Sequence, residues 1–360
     1  MLIELKIFAI SAGLVLGISA LAMVVAWLFL GLPRPLWPPR RNRLVSWGGL
    51  EVLCAFATLE LLLPLALFAL FFYTGLFRWI YDHTGGDFTT TFGTDEDKLS
   101  RHLAIWAPCL GFPVTLALLA IWGRLWPHFH PYQLGLTRSR LWQSLVLGWL
   151  GWLAFGLPCD LFYLFLSNAY QWLFPGQSEI HTIMKIASEH PSTFEWIVLC
   201  VSAIVVAPVL EELLFRGLLL RWLCVRPQGV LIVLILTMTM AFVGKSAKFE
   251  EAWNSRDSIG LLASASPLIF SALVVASLRC LEFLSLNPRQ LNQWRAILSS
   301  ALLFAIFHAN FWPTPVPLFF LAIFLGWLAC RTQSILPGMV THALFNSVAC
   351  VELLFGLSAL

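Results

Sequence analysis

The chain has 360 residues, 59% of them hydrophobic and only 11% charged, with a net charge of +3. Soluble domains carry about 25% charged residues, so the composition excludes a water-soluble globule, and the lack of a clustered basic tract excludes a nucleic-acid partner. The 17 Trp and 29 Phe suit aromatic belts at two membrane interfaces, and eight single cysteines without a CxxC pair argue against a disulfide framework or a thiolate metal site.

A spanning helix needs roughly 20 apolar residues. In chain order the candidates are 6–32, 46–77, 103–126, 141–168, 195–223, 228–244, 259–281, 296–312, 315–331 and 335–358. The expected fold class is all-α, a polytopic transmembrane helix bundle of about ten spanning helices. The first segment has no basic leader and is too long for a signal-peptide core, so it reads as a span. Loop charges alternate. The stretch 33–43 is rich in arginine, 78–102 is acidic, 123–140 is basic again, and 169–194 carries Glu179 and Glu189 against one Lys. Arg221, Arg226, Arg279, Arg289, Arg295 and Arg331 flank later spans. Positive residues stay inside, which places both termini outside and the basic loops in the cytoplasm. The segment 245–258, nominally outside, fits less well, with Lys245, Lys248 and Arg256 against three acids.

Charges at bilayer depth cost a few kcal/mol on insertion scales and mark functional sites. The fifth span holds Glu211, Glu212 and Arg216 in APVLEELLFRG. Glu212 and Arg216 share a helical face at i,i+4 and are expected to pair. Glu211 is rotated about 100° away, so it keeps fewer partners and is a natural general base. Phe304 and His308 share a face in the eighth span, and His342 and Asn346 do so in the tenth. Glu211 lies ten residues before Arg221, His308 13 after Arg295, and His342 11 after Arg331. At 1.5 Å per residue all three stand roughly 15–20 Å from the inner basic markers, a shared depth that points to one site. Glu51, Glu60 and Asp160 are further acids in spans, with Glu60 expected as a helix–helix hydrogen-bonding group; His128 and His130 and the acidic Asp95–Asp97 read as loop residues.

EELLFR (211–216), FAIFH (304–308) and HALFN (342–346) occur in that order. They resemble the EExxxR, FxxxH and HxxxN motifs of the CPBP family (CAAX protease and bacteriocin-processing, or ABI) of intramembrane proteases, which includes the Rce1-type CAAX endopeptidases. The resemblance covers about 130–350. It suggests two regions: 1–125, N-terminal transmembrane helices outside the family core, and 126–360, the protease core with an inserted helical pair at about 227–295. The insert is a departure, because 91 residues separate Arg216 from His308. Two extra spans leave the direction of the His308 helix unchanged.

The resemblance implies an intramembrane endopeptidase acting near a membrane-associated chain end, with a prenylated CaaX terminus as the Rce1-type substrate. Glu211 would activate water, His308 would hold it and shuttle its proton, His342 and Asn346 would donate hydrogen bonds to the oxyanion, and Glu212, Arg216 and Phe304 would support them. A metal-free reaction is favoured, with zinc on Glu211, His308 and His342 as the competing set. Expected partners are membrane lipids and a peptide or protein substrate, lipidated in the Rce1-type reading. The expected location is a multi-pass protein of a bacterial-type plasma membrane, its active site open to the cytoplasm. The rival reading is a transporter or a catalytically silent scaffold using the same buried polar cluster.

Overall fold

The computed structural model describes residues 12–25, 45–84, 87–89, 96–125, 130–136, 141–175, 185–186, 191–284 and 286–355. All regular structure among them is helical. In chain order we name α1 Ala12–Val25, α2 the run 49–74, α3 Leu76–His83, α4 Glu96–Leu125, α5 Leu141–Leu173, α6 Thr193–Val225, α7 Gly229–Val243, α8 Ser246–Asn254, α9 Ser258–Cys280, α10 Pro288–Phe307, α11 Pro315–Thr332 and α12 Leu336–Leu354. The stretch 33–43, Asp95, His128, Glu179 and Glu189 lie outside the described residues.

Each of the ten expected spans contains helix, but length and apolarity sort them. Among the described residues five helices are long and apolar enough to cross a membrane, or six if the pair α7 and α8, bent by 42°, is one span. The others are short, as α1 is, or carry polar residues: Lys98, Arg101 and His102 in α4, Arg289 and Arg295 in α10, His342, Asn346 and Glu352 in α12. The eighth expected span also stops early. Helix α10 ends at Phe307 rather than continuing to 312, because Pro313 and Pro315 close by cannot continue it.

Three helices widen to a π turn immediately before a proline. These are Ala57–Leu62 before Pro64, Trp152–Gly156 before Pro158, and Ser202–Val206 before Pro208. Proline has no N–H and clashes with the carbonyl of the preceding turn, so the ladder loosens there. In the π register of the second turn, Leu157 N–H reaches Trp152 O, so the next carbonyl, Leu153 O, is the one Pro158 cannot serve. Ser19 Oγ on α1 donates to it at 2.8 Å. In a membrane a backbone carbonyl released this way needs a protein partner.

The chain forms two compact units. One unit comprises α1, α5, α6 from Phe215 onward, α7 to α11 and the start of α12. Its α10 is buried from every side, with Ala301 to Ala305 all nearly inaccessible, so it is the central helix. It packs on α7, α9, α11 and the end of α6. Where α5 meets the start of α12, a Cβ on Gly148 would lie 2.5 Å from Val340 Cβ, so only glycine permits that approach. Thr341 Oγ1 donates to Gly148 O there at 2.9 Å.

The other unit holds α2 to α4, α6 up to Leu214 and α12 from His342. Phe77, Tyr81, Leu103, Trp106 and Val198 form its main apolar core, with Trp106 edge-on to Phe77 at 5.5 Å. The first turn of α6 is fixed by a capping box: Glu195 N–H donates to Ser192 Oγ at 3.3 Å, and Ser192 N–H donates to Glu195 Oε2 at 3.0 Å. The same carboxylate accepts from Tyr81 OH at 3.0 Å and lies 2.5 Å from His102 Nδ1.

Candidate active site

Four of the expected site residues lie in one unit. Glu211 and Glu212 stand on α6, and His342 and Asn346 on α12. His342 Nδ1 is 3.3 Å from Glu212 Oε1. A carboxylate only accepts, so Nδ1 carries the proton of this contact. The other ring nitrogen, Nε2, lies 3.7 Å from Glu211 Oε2. That is beyond hydrogen-bond length, and Glu211 Oε2 accepts no hydrogen bond from the protein. Glu212 is fully buried, whereas the Glu211 side chain is 22% exposed. The two adjacent acids therefore differ in surroundings: Glu212 is enclosed and tied to an imidazole, and Glu211 is partly open.

Besides the partner expected from the sequence, Arg216, Glu212 has a close contact with His342. Helix α6 is π-wound over Glu212–Leu219. Wide turns of this kind are frequent at functional sites. Arg216, in the other unit, lays its guanidinium on the ring of Phe304, 4.6 Å from the centroid. Phe215 meets the same ring edge-on at 5.1 Å. Phe304 is fully buried, so its place in the motif is that of a platform for a buried cation.

His308 follows the last residue of α10 and belongs to the unit of Arg216 and Phe304. Its Nδ1 lies 3.0 Å from Phe304 O. A carbonyl only accepts, so Nδ1 carries the proton and Nε2 keeps its lone pair. The four-residue spacing of FxxxH is thus a backbone requirement: the histidine satisfies one of the orphan carbonyls at the helix end.

Asn346 Nδ2 donates to Ala203 O at 2.8 Å. Ala207 N–H reaches Ser202 O in the π turn, so Ala203 O is the carbonyl that Pro208 leaves unserved. Asn346 closes that gap and ties α12 to α6, and its second amide hydrogen is not used in this bond.

Sequence reasoning missed one contributor. Glu195 with His102 and Tyr81 anchors the start of the glutamate helix, and the signal was present as the Ser192–x–x–Glu195 spacing. Glu51 has a local role: Gly48 N–H donates to its Oε2 at 2.8 Å, capping α2. Among the described residues no three His, Cys, Asp or Glu side chains are grouped as ligands of a metal ion.

Apolar helices of spanning length and an acid–histidine–amide cluster inside them define an all-helical integral membrane protein with a polar centre. Residues 193–348, a stretch that contains all three motifs, match the family model described as Rce1-like, type II CAAX prenyl endopeptidase. Over that stretch the chain is similar to this family of type II CAAX prenyl endopeptidases, a likeness that supports a peptide hydrolase acting on a peptide or protein at a membrane. No curated protein and no solved structure matches the chain.

Proposed function

We propose that the chain is an intramembrane endopeptidase that cleaves near a membrane-anchored, prenylated CaaX-type chain end. The observation that carries the reading is the pair formed by Glu211 Oε2 and His342 Nε2. The two atoms stand 3.7 Å apart, and Glu211 Oε2 takes no hydrogen bond from the protein. A water seated beside both is oriented by two acceptors and loses a proton to Glu211 as it attacks the scissile carbonyl.

His308, with Nδ1 bound to Phe304 O and Nε2 an acceptor, suits taking over the proton that Glu211 removes from water and delivering it to the leaving amine. The second amide hydrogen of Asn346 suits the oxyanion, where one donor is typically worth about 10²–10³ in rate, and His342 can join it as a donor only once its Nε2 has taken up a proton. Glu212 sets the orientation of His342, and Arg216 over Phe304 fixes the end of the motif. The reading is metal-free, with zinc on Glu211, His308 and His342 as the competing set. The basic flanks of the spans support a substrate entrance on the cytoplasmic side, within the reading of a bacterial-type plasma membrane.

The test is cleavage by the purified protein in detergent of a fluorogenic CaaX peptide, with and without its prenyl group. Cleavage that needs the prenyl group and disappears in Glu211→Ala supports the reading. No cleavage across varied peptides, together with proton-coupled solute uptake into vesicles, favours a transporter built on the same cluster.

A further inference from the structure

A cavity of about 200 Å³ opens in the inserted segment, far more than the roughly 15 Å³ that one water needs. Its walls come from one unit: Lys245, Lys248 and Glu251 at and along α8, Asp257 at the start of α9, Trp312 after α10, and Tyr170 on α5. Lys245 is buried, and its Nζ donates to Asn310 O at 3.5 Å in the turn that follows His308. Asp257 caps α9, accepting from Ile259 N–H at 3.1 Å through Oδ1. Two cations and two carboxylates thus line one space, an arrangement matched by a ligand that carries both signs.

The surroundings select the kind of ligand. Helix α8 leaves α7 at a 42° bend. It presents Phe249 and Trp253 outward, stacked at 6.5 Å and both exposed, while Phe242 and Val243 are exposed just before the bend. A short helix with charges on one side and Phe and Trp on the other lies in the membrane interface, and aromatic side chains settle at headgroup level. This places the cavity where phospholipid headgroups reside.

We propose that this cavity binds the headgroup of a zwitterionic phospholipid of the ethanolamine class. The phosphate meets Lys245 and Lys248, the ammonium meets Glu251 and Asp257, and the acyl chains run along the exposed apolar residues of α7 and α8. The inference does not depend on the peptidase reading, because its readout is lipid binding.

The experiment is native mass spectrometry of delipidated protein in detergent, titrated with phosphatidylethanolamine or with phosphatidylglycerol of identical chains. The expected result is roughly tenfold tighter binding of the ethanolamine lipid, lost in Lys248→Ala and in Glu251→Ala, since each removes one charge-assisted contact. Both positions are exposed, so folding is retained, and the companion Lys245→Ala reports on the buried cation. Equal binding of the two lipids, or binding unchanged in the exposed variants, overturns the proposal. So does glycerophosphoethanolamine binding as tightly as the lipid, which assigns the cavity to a soluble zwitterion.

Discussion

His342 holds Glu212 through Nδ1 at 3.3 Å, and its opposite ring nitrogen lies 3.7 Å from Glu211. One imidazole therefore meets two adjacent carboxylates of different burial. The enclosed acid orients the ring, and the more open acid is left for chemistry. This relationship separates the roles of two residues that look equivalent in the sequence EE.

Glu212→Ala leaves the buried Nδ1–H of His342 without its acceptor. We expect a loss of about 1–3 kcal/mol in stability and a fall in kcat, because the imidazole is no longer held. Glu212→Gln keeps an acceptor oxygen and should recover most of the stability. Unfolding in mixed micelles, paired with turnover of the same samples, reads both. Equal stability of the alanine and glutamine variants contradicts the orienting role.

Arg216 and Phe304 are expected to be energetically coupled. A desolvated guanidinium on an aromatic face is worth about 2 kcal/mol. A double-mutant cycle with Arg216→Met and Phe304→Leu should return a coupling of about 1–2 kcal/mol in the unfolding free energy. A coupling near zero would show that the 4.6 Å approach is packing alone.

His102 and Glu195 are both almost inaccessible and 2.5 Å apart. Removing one partner of such a pair costs about 3–5 kcal/mol, because the other is left buried without it. His102→Leu should therefore lower the unfolding midpoint strongly, while the KM of the surviving folded fraction stays near that of the unmodified protein. A loss below about 1 kcal/mol would place the pair in wetter surroundings than its burial indicates.

Helix existence, the membrane class and all three polar motifs are readable in the sequence, because apolar runs and their polar interruptions are local properties. The partnership of those residues is less so. The i,i+4 rule links Glu212 to Arg216 on one helix, but it says nothing of the contact between Glu212 and His342, 130 residues away. Three of the π turns do leave a trace, since each lies just ahead of a proline at 64, 158 or 208. What the sequence cannot carry is the remote answer to each proline. Ser19 serves Leu153 O and Asn346 serves Ala203 O, at separations of 134 and 143 residues. The end of α10 is hidden in the sequence for a related reason: His308 resembles a mid-helix residue in an apolar run, but the nearby prolines make it the helix terminus.

The metal question has a separate test. Glu211, His308 and His342 would be the zinc set if a metal were required. The account expects cleavage to persist at close to its starting rate after exhaustive dialysis against a strong chelator. Loss of activity restored specifically by zinc would replace the metal-free mechanism.

The most direct measurement compares Glu211→Gln with the unmodified protein in cleavage of a prenylated CaaX peptide, with unfolding followed on the same preparations. The substitution keeps size and hydrogen bonding and removes only the ability to take a proton. General-base catalysis contributes about 10²–10⁴, so the account predicts a kcat lower by that factor with KM and stability nearly unchanged. A variant that folds normally and cleaves within about twofold of the unmodified rate would contradict the assignment of Glu211 as the base.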